Sequence, residues 1–345
     1  MPETKENVRL LDLLTKSGVI LSRTYRVYRG RRRIEPQDVG LDHVDDRVFS
    51  LGHGKLLPDR ALEPFKLVES QVSSLILAST FPFLDSGRFL PNPKIGPVMD
   101  RLDQLRQTFY DKLVPSFIAE YDTYKAEARQ AWLRSAEELG VDPLRVQTIL
   151  STAYPSVDEL RTRFRFEYHL LSISLPEEVT VEELSLQNVK EVMEARNRAA
   201  VEARTKITSG VESFIAESVQ ALRTQAAEVC EEALKTMKTG QTGVHQRTLN
   251  RVLKMIDNIK ELNWVGDDRL EAELERIRTD FLQTTAETYR NDEDAAERLK
   301  GALRGFSQSV REGIEADAQQ VLRSFGAVGT RSLRIIQPDA GQAAV

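Results

Sequence analysis

Between Leu186 and Lys238 the chain has no proline, and Ile207, Val211, Phe214 and Leu222 recur at spacings close to a heptad seam. This pattern predicts one helix of roughly fifty residues, about 75 Å long at 1.5 Å per residue. So long a helix needs partner helices to cover its apolar stripe, and it points to a coiled-coil-like hairpin or bundle more than to a compact enzyme. Gly240 to Gly243 should break it, and Leu249, Leu253, Ile256 and Ile259 should begin the return helix. Two further stripes follow recognisable caps: Asp267 before Leu270, Leu274, Ile277 and Phe281, and Asn291 before Leu299, Leu303, Phe306 and Val310. Gly326 is placed to end the last helix, Leu333 to Ile336 to add a closing edge strand, and Pro338 to Val345 to form a frayed tail.

The first part of the chain reads as mixed. Gly18 to Tyr28 has strand chemistry, Arg29-Gly30-Arg31 turn chemistry, and Pro36 to Asp46 loop chemistry. Phe65, Val68, Val72, Leu75 and Ile76 make a helical stripe after Pro64. Phe81 to Pro97, with four prolines and two glycines, reads as a loop between helices. In the stripe that runs from Val98 to Trp132, Pro115 should kink or split the helix near Asp111 to Val114. Ser156-x-x-Glu159 is a capping-box pattern, and Phe164, Phe166, Tyr168 and Leu170 alternate with Arg163, Arg165, Glu167 and His169 as in a half-buried strand. That strand is expected to pair with the one carrying the N-terminal arginines. The expected fold is mainly α (α+β), a long antiparallel helical hairpin or bundle with a small antiparallel β-sheet. The blocks are 1–176 (mixed), 177–330 (hairpin or bundle) and 331–345 (edge strand and tail).

Chemistry is sparse. The four histidines, His43, His53, His169 and His245, lack the spacing of a helical metal site, and no metal or other cofactor is implied. Gly52-His53-Gly54-Lys55 fails as a phosphate loop because Phe49 stands where glycine is needed and Leu56 where Ser or Thr is needed. No nucleophile elbow accompanies any serine, and Cys230, the single cysteine, has the setting of a small buried hydrophobe. Paired carboxylates such as Glu231-Glu232 and Asp267-Asp268 read as solvated faces and caps. An enzyme is therefore not expected. No secretory or membrane-spanning segment is apparent and one cysteine excludes an intramolecular disulfide, so the expected location is cytoplasmic.

Against a net charge of −5, Arg23, Tyr25, Arg26, Tyr28, Arg29, Arg31, Arg32 and Arg33 crowd one short stretch. Such a cluster offers planar donors to an anionic partner. With His53 and Lys55 of the nearby glycine turn, these residues are the candidate binding site. Three readings stay open: edge-strand protection by exposed cations, an acidic protein surface, and sequence-nonspecific nucleic-acid binding, which lacks a supporting motif and has an acidic pI against it. A structural component such as a phage or filament subunit would rest on the long helices alone.

Three segments together, Tyr28-Arg29-Gly30-Arg31-Arg32-Arg33-Ile34-Glu35-Pro36-Gln37-Asp38-Val39-Gly40, Ser50-Leu51-Gly52-His53-Gly54-Lys55-Leu56-Leu57 and Leu62-Glu63-Pro64-Phe65, resemble a family of uncharacterised bacterial, plasmid and phage proteins of unknown function. The resemblance covers mainly the first two hundred residues. Members of that family are often encoded near a MoxR-type AAA+ ATPase and a von Willebrand factor A or cobaltochelatase-like protein. The resemblance thus implies a non-catalytic adaptor or accessory subunit with a protein partner of the AAA+ or von Willebrand type, and supplies no catalytic residue.

Overall fold

The computed structural model describes residues 14–39, 52–84, 87–172, 189–239 and 244–335. The chain is mainly α with a small antiparallel sheet. Its contacts cluster into two compact units that interleave along the sequence: Met1–Leu21, Ser79–Ile95 and Leu170–Val345 form one, Ser22–Ala78 and Gly96–His169 the other.

The first unit is built on the long proline-free helix α6 (Val189–Thr239), followed by α7 (Gln246–Leu262), α8 (Asp268–Phe281), α9 (Ala286–Asn291) and α10 (Glu293–Ile335). Val211, Phe214 and Leu222 are buried as their seam predicts, and so are Leu249, Ile256 and Ile259 of the return helix. The most extensive partner of α6 is α10, with α7 second. Arg311 of α10 forks onto Glu231 (2.6 and 3.0 Å), and Arg251 of α7 onto Glu232 (2.5 and 2.7 Å). The expected break at Gly240 to Gly243 lies outside the described residues. Cys230 is fully buried in this core, and burial pushes its thiol up to about 12, as suits an inert packing residue.

Three expectations need correction in this unit. Phe81 to Pro97 is no loop: β4 (Phe81–Phe83) and β5 (Gly87–Pro91) form an antiparallel pair, and a helix, α2, begins at Asn92. Pro82 is tolerated because β4 is an edge strand, while Phe81, Phe83 and Phe89 are buried against Phe214 or Trp264. The cap of α10 is Asp292, one residue later than expected: α9 runs to Asn291, and Asp292 Oδ1 accepts from Ala295 N (2.9 Å). Gly326 does not end α10, which stays helical to Ile335 where a closing strand was expected. One glycine in a helix costs only about 1 kcal/mol relative to alanine, too little to stop it.

The second unit wraps aromatic side chains in helices: α1 (Glu63–Ser79), α2 (Asn92–Gln107), α3 (Val114–Leu139), α4 (Pro143–Ala153) and α5 (Val157–Thr162). A π-helical turn, Thr108–Leu113, joins α2 to α3 immediately before Pro115. Proline lacks an N–H and its ring collides with the carbonyl four residues back, so the helix widens there instead of continuing as α. The capping box forms as expected: Ser156 Oγ accepts from Glu159 N (3.3 Å) and Glu159 Oε2 accepts from Ser156 N (3.0 Å). Tyr25, Phe65, Phe109, Phe117, Phe164 and Phe166 pack with ring centroids 5.2–6.3 Å apart, mostly edge to face. The arginine-bearing strand β1 (Gly18–Arg26) lies beside β6 (Arg165–Leu171), as the alternation predicts, in the strand order β4-β5-β1-β6.

Candidate functional site

The two N-terminal segments that stand out in the sequence meet in space. Residues Arg31–Arg33 form β2 and His53–Lys55 form β3, an antiparallel pair with Arg31 opposite Lys55, Arg32 opposite Gly54 and Arg33 opposite His53. Glycine is required twice. Gly30 leads into β2 at φ +54°, and a Cβ there would lie 2.6 Å from Leu57. At Gly54 the indole of Trp132 lies so close that a Cβ would sit 2.1 Å from its ring, and Trp132 Nε1 donates to the Lys55 carbonyl (2.6 Å). The glycines of Gly52-His53-Gly54-Lys55 thus serve a turn and a close approach, which is why the segment resembles a phosphate loop without its residues.

Side chains alternate along this hairpin and divide the candidate residues. Arg31 and Lys55 line a cleft of about 810 Å³ with Arg26, Arg29, Lys66, Arg163 and Arg165, seven cations against the two carboxylates of Asp59 and Glu69. Arg26, Arg29 and Arg31 are exposed, and Arg26 and Arg29 form no hydrogen bond or ion pair among the described residues. Lys55 pairs with Asp59 (2.7 Å), which holds the Asp59 carboxyl below its ordinary range. Arg165 pairs with Glu167 (2.6 Å), and the Arg163 guanidinium lies 5.4 Å from the Tyr28 ring centroid.

Tyr25 and Tyr28 belong to the inner wall of this cleft. The Tyr25 hydroxyl donates to the Phe65 carbonyl (2.7 Å), and Tyr28 is buried, with burial raising its phenol above the ordinary value. Arg32 points the other way and is spent on structure, donating to the Ile149 carbonyl (2.9 Å) and pairing with Asp38 (3.5 Å). Arg23, Arg33 and His53 are exposed but do not line the cleft. Sequence reasoning left out Lys66, Arg163 and Arg165. For the last two the signal existed, since they occupy the polar phase of the alternation that marks β6; Lys66 carried none beyond an exposed position on α1.

Beside the same hairpin runs a second cavity of about 440 Å³, lined mainly by Ile34, Leu57, Pro58, Ala131, Trp132, Leu139 and Val141. Lys55, Leu57 and Asp59 line both cavities. Among the described residues no group of three or more His, Cys, Asp or Glu is placed to hold a metal ion, and no helix is long and apolar enough to cross a membrane.

A mainly α protein with a small sheet and an arginine-rich hairpin is the class defined by this architecture. The chain belongs to the family described as Protein of unknown function (DUF3150), whose model matches residues 15–287. Comparison with curated proteins and with solved structures finds no match.

Proposed function

We propose that the chain is a non-catalytic accessory subunit that holds an acidic segment of a protein partner in the cleft rimmed by Arg26, Arg29, Arg31 and Arg163. The observation that carries this reading is the set of exposed guanidinium groups at Arg26 and Arg29, without an ion pair among the described residues, on the same cleft as Arg163 and Arg165. Guanidinium is weakly hydrated and presents a fork of donors to carboxylates, so clustered arginines suit an anionic protein surface. Edge protection accounts less well for cations gathered from a loop, a hairpin, a helix and a strand onto one cleft. The resemblance to proteins encoded near AAA+ ATPases and von Willebrand factor A proteins nominates such a machine, in the cytoplasm, as the partner. Nucleic acid is the competing anion, disfavoured by the chain's net charge of −5.

The test is a pull-down of neighbouring gene products with the wild type and with the Arg26→Glu/Arg29→Glu/Arg163→Glu variant, beside a salt titration of DNA and RNA binding. Loss of a protein partner by the variant, with little nucleic-acid affinity in the wild type, is expected. Nucleic-acid binding with a steep salt slope that the variant flattens would replace this reading with the second. Retention of every partner by the variant would refute both.

A further inference from the structure

We infer that the apolar groove between the β2–β3 hairpin and α3 takes the hydrophobic anchor of the same acidic segment, so that the partner motif is an acidic run flanked by large apolar side chains. This rests on the reading of the cleft given above and adds the chemistry of its ligand. The groove, at about 440 Å³, is within the range of roughly 300–1,000 Å³ in which clefts bury most of a bound ligand's surface. Its walls include Leu139, 75% exposed, and the exposed Ala131, apolar surface left open on α3.

Charge complementarity selects the occupant. The acidic groups at the groove already have partners: Asp38 pairs with Arg32, Glu127 with Arg60, and Asp59 with Lys55. The groove therefore has no strong call for either sign of charge, whereas the adjoining cleft holds a surplus of cations. Lys55, Leu57 and Asp59 are common to both cavities, so the groove adjoins the cleft and one ligand can reach from one into the other. Trp132, whose indole is bonded to the Lys55 carbonyl, lines the groove and offers it a large, rigid ring at low entropic cost. A polynucleotide satisfies the cleft but brings no aliphatic group for the groove, and a purely apolar helix fills the groove but leaves the arginines without an anion. An acidic segment with an apolar anchor matches both.

The full chain is titrated with three fluorescein-labelled peptides: an acidic run joined to a leucine- and phenylalanine-bearing anchor, the same run joined to serines, and the anchor joined to serines. The joined peptide should bind about tenfold or more tighter than the acidic run alone and alter Trp132 emission. Ala131→Glu and, separately, Leu139→Asp should remove that gain while leaving the affinity for the acidic run unchanged. Both positions are exposed, and circular dichroism confirms that the variants fold. Equal affinity of the joined peptide and the acidic run for the wild type overturns the inference and leaves the cleft's function standing. Failure of every acidic peptide to bind, or tighter binding of a single-stranded oligonucleotide than of the joined peptide, overturns the cleft's function itself. A concentration-dependent dimer in light scattering that Ala131→Glu abolishes would make a second copy of the chain the occupant and overturn the inference too.

Discussion

Asp267 is the position whose loss the helical unit should tolerate least. Its carboxylate accepts from Arg223 Nε (2.7 Å) and Nη2 (2.9 Å) and from the Leu270 N–H (3.1 Å) that opens α8, with the two side chains 1% and 3% exposed. Asp267→Ala removes a helix cap, worth about 1 kcal/mol, and takes a doubly hydrogen-bonded carboxylate away from a buried guanidinium, which costs up to roughly 3–5 kcal/mol. The two losses share one carboxylate and overlap, so about 4 kcal/mol is expected, a large part of the roughly 5–15 kcal/mol of a whole domain. Asp267→Asn keeps the volume and the capping oxygen and should lose less. Arg223→Leu, Asp267→Asn and their combination complete a double-mutant cycle, in which the double variant should be more stable than the sum of the single losses requires, by about 0.5–3 kcal/mol of coupling. Urea denaturation followed by far-ultraviolet circular dichroism measures the wild type and the four variants. A loss below about 1 kcal/mol in Asp267→Ala, or strict additivity in the double variant, would refute the claim that this buried pair is a coupled element of the core.

Ile256 is fully buried in the helical core, so Ile256→Asp should cost roughly 3–5 kcal/mol without changing the mass in light scattering; an unchanged melting temperature would place it outside the core. Gly54→Ala pushes a methyl group into the Trp132 ring and should cost roughly 1–3 kcal/mol with a shift of tryptophan emission, and wild-type emission would contradict the close approach. Burial raises the phenols of Tyr154 and Tyr168 to about 12, above the value of about 10 that an unfolded chain would show. The folded state then holds these protons more tightly, so the contribution to stability is full below pH 10 and is lost as pH rises towards 12, which unfolding curves taken across that window will show as falling stability. Stability that stays level there would contradict the raised phenols. Because the histidines are dispersed and the phosphate-loop pattern fails, chelation should leave the melting temperature unchanged, and a stoichiometric zinc signal would refute that.

The long helices, the strand alternation of Phe164 to Leu170, the capping box at Ser156 and the cap at Asp267 were legible in the sequence because each depends on residues two to four positions apart. Pro115 likewise announced the disturbance that the π-helical turn relieves, since the clash is with a carbonyl one turn away. Half of the candidate cleft was legible for the same local reason: Arg26, Arg29, Arg31 and Lys55 lie on short segments whose charge stands out against an acidic chain. What tertiary structure decided was which of those charges face one another. Pairing Arg31 with Lys55 put both on the cleft and turned Arg32, their neighbour, inward to the Ile149 carbonyl, while Lys66, Arg163 and Arg165 joined from elements distant in the sequence. Phe81 to Pro91 carried the prolines and glycine of a loop, yet buried phenylalanines against Phe214 and Trp264 hold it as paired strands. The preference of α6 for α10 over its successor α7 was equally beyond reach. Periodicity tells which face of an element is apolar; it carries no information on which other apolar face will cover it, because that choice is made by contacts formed only when the chain closes on itself.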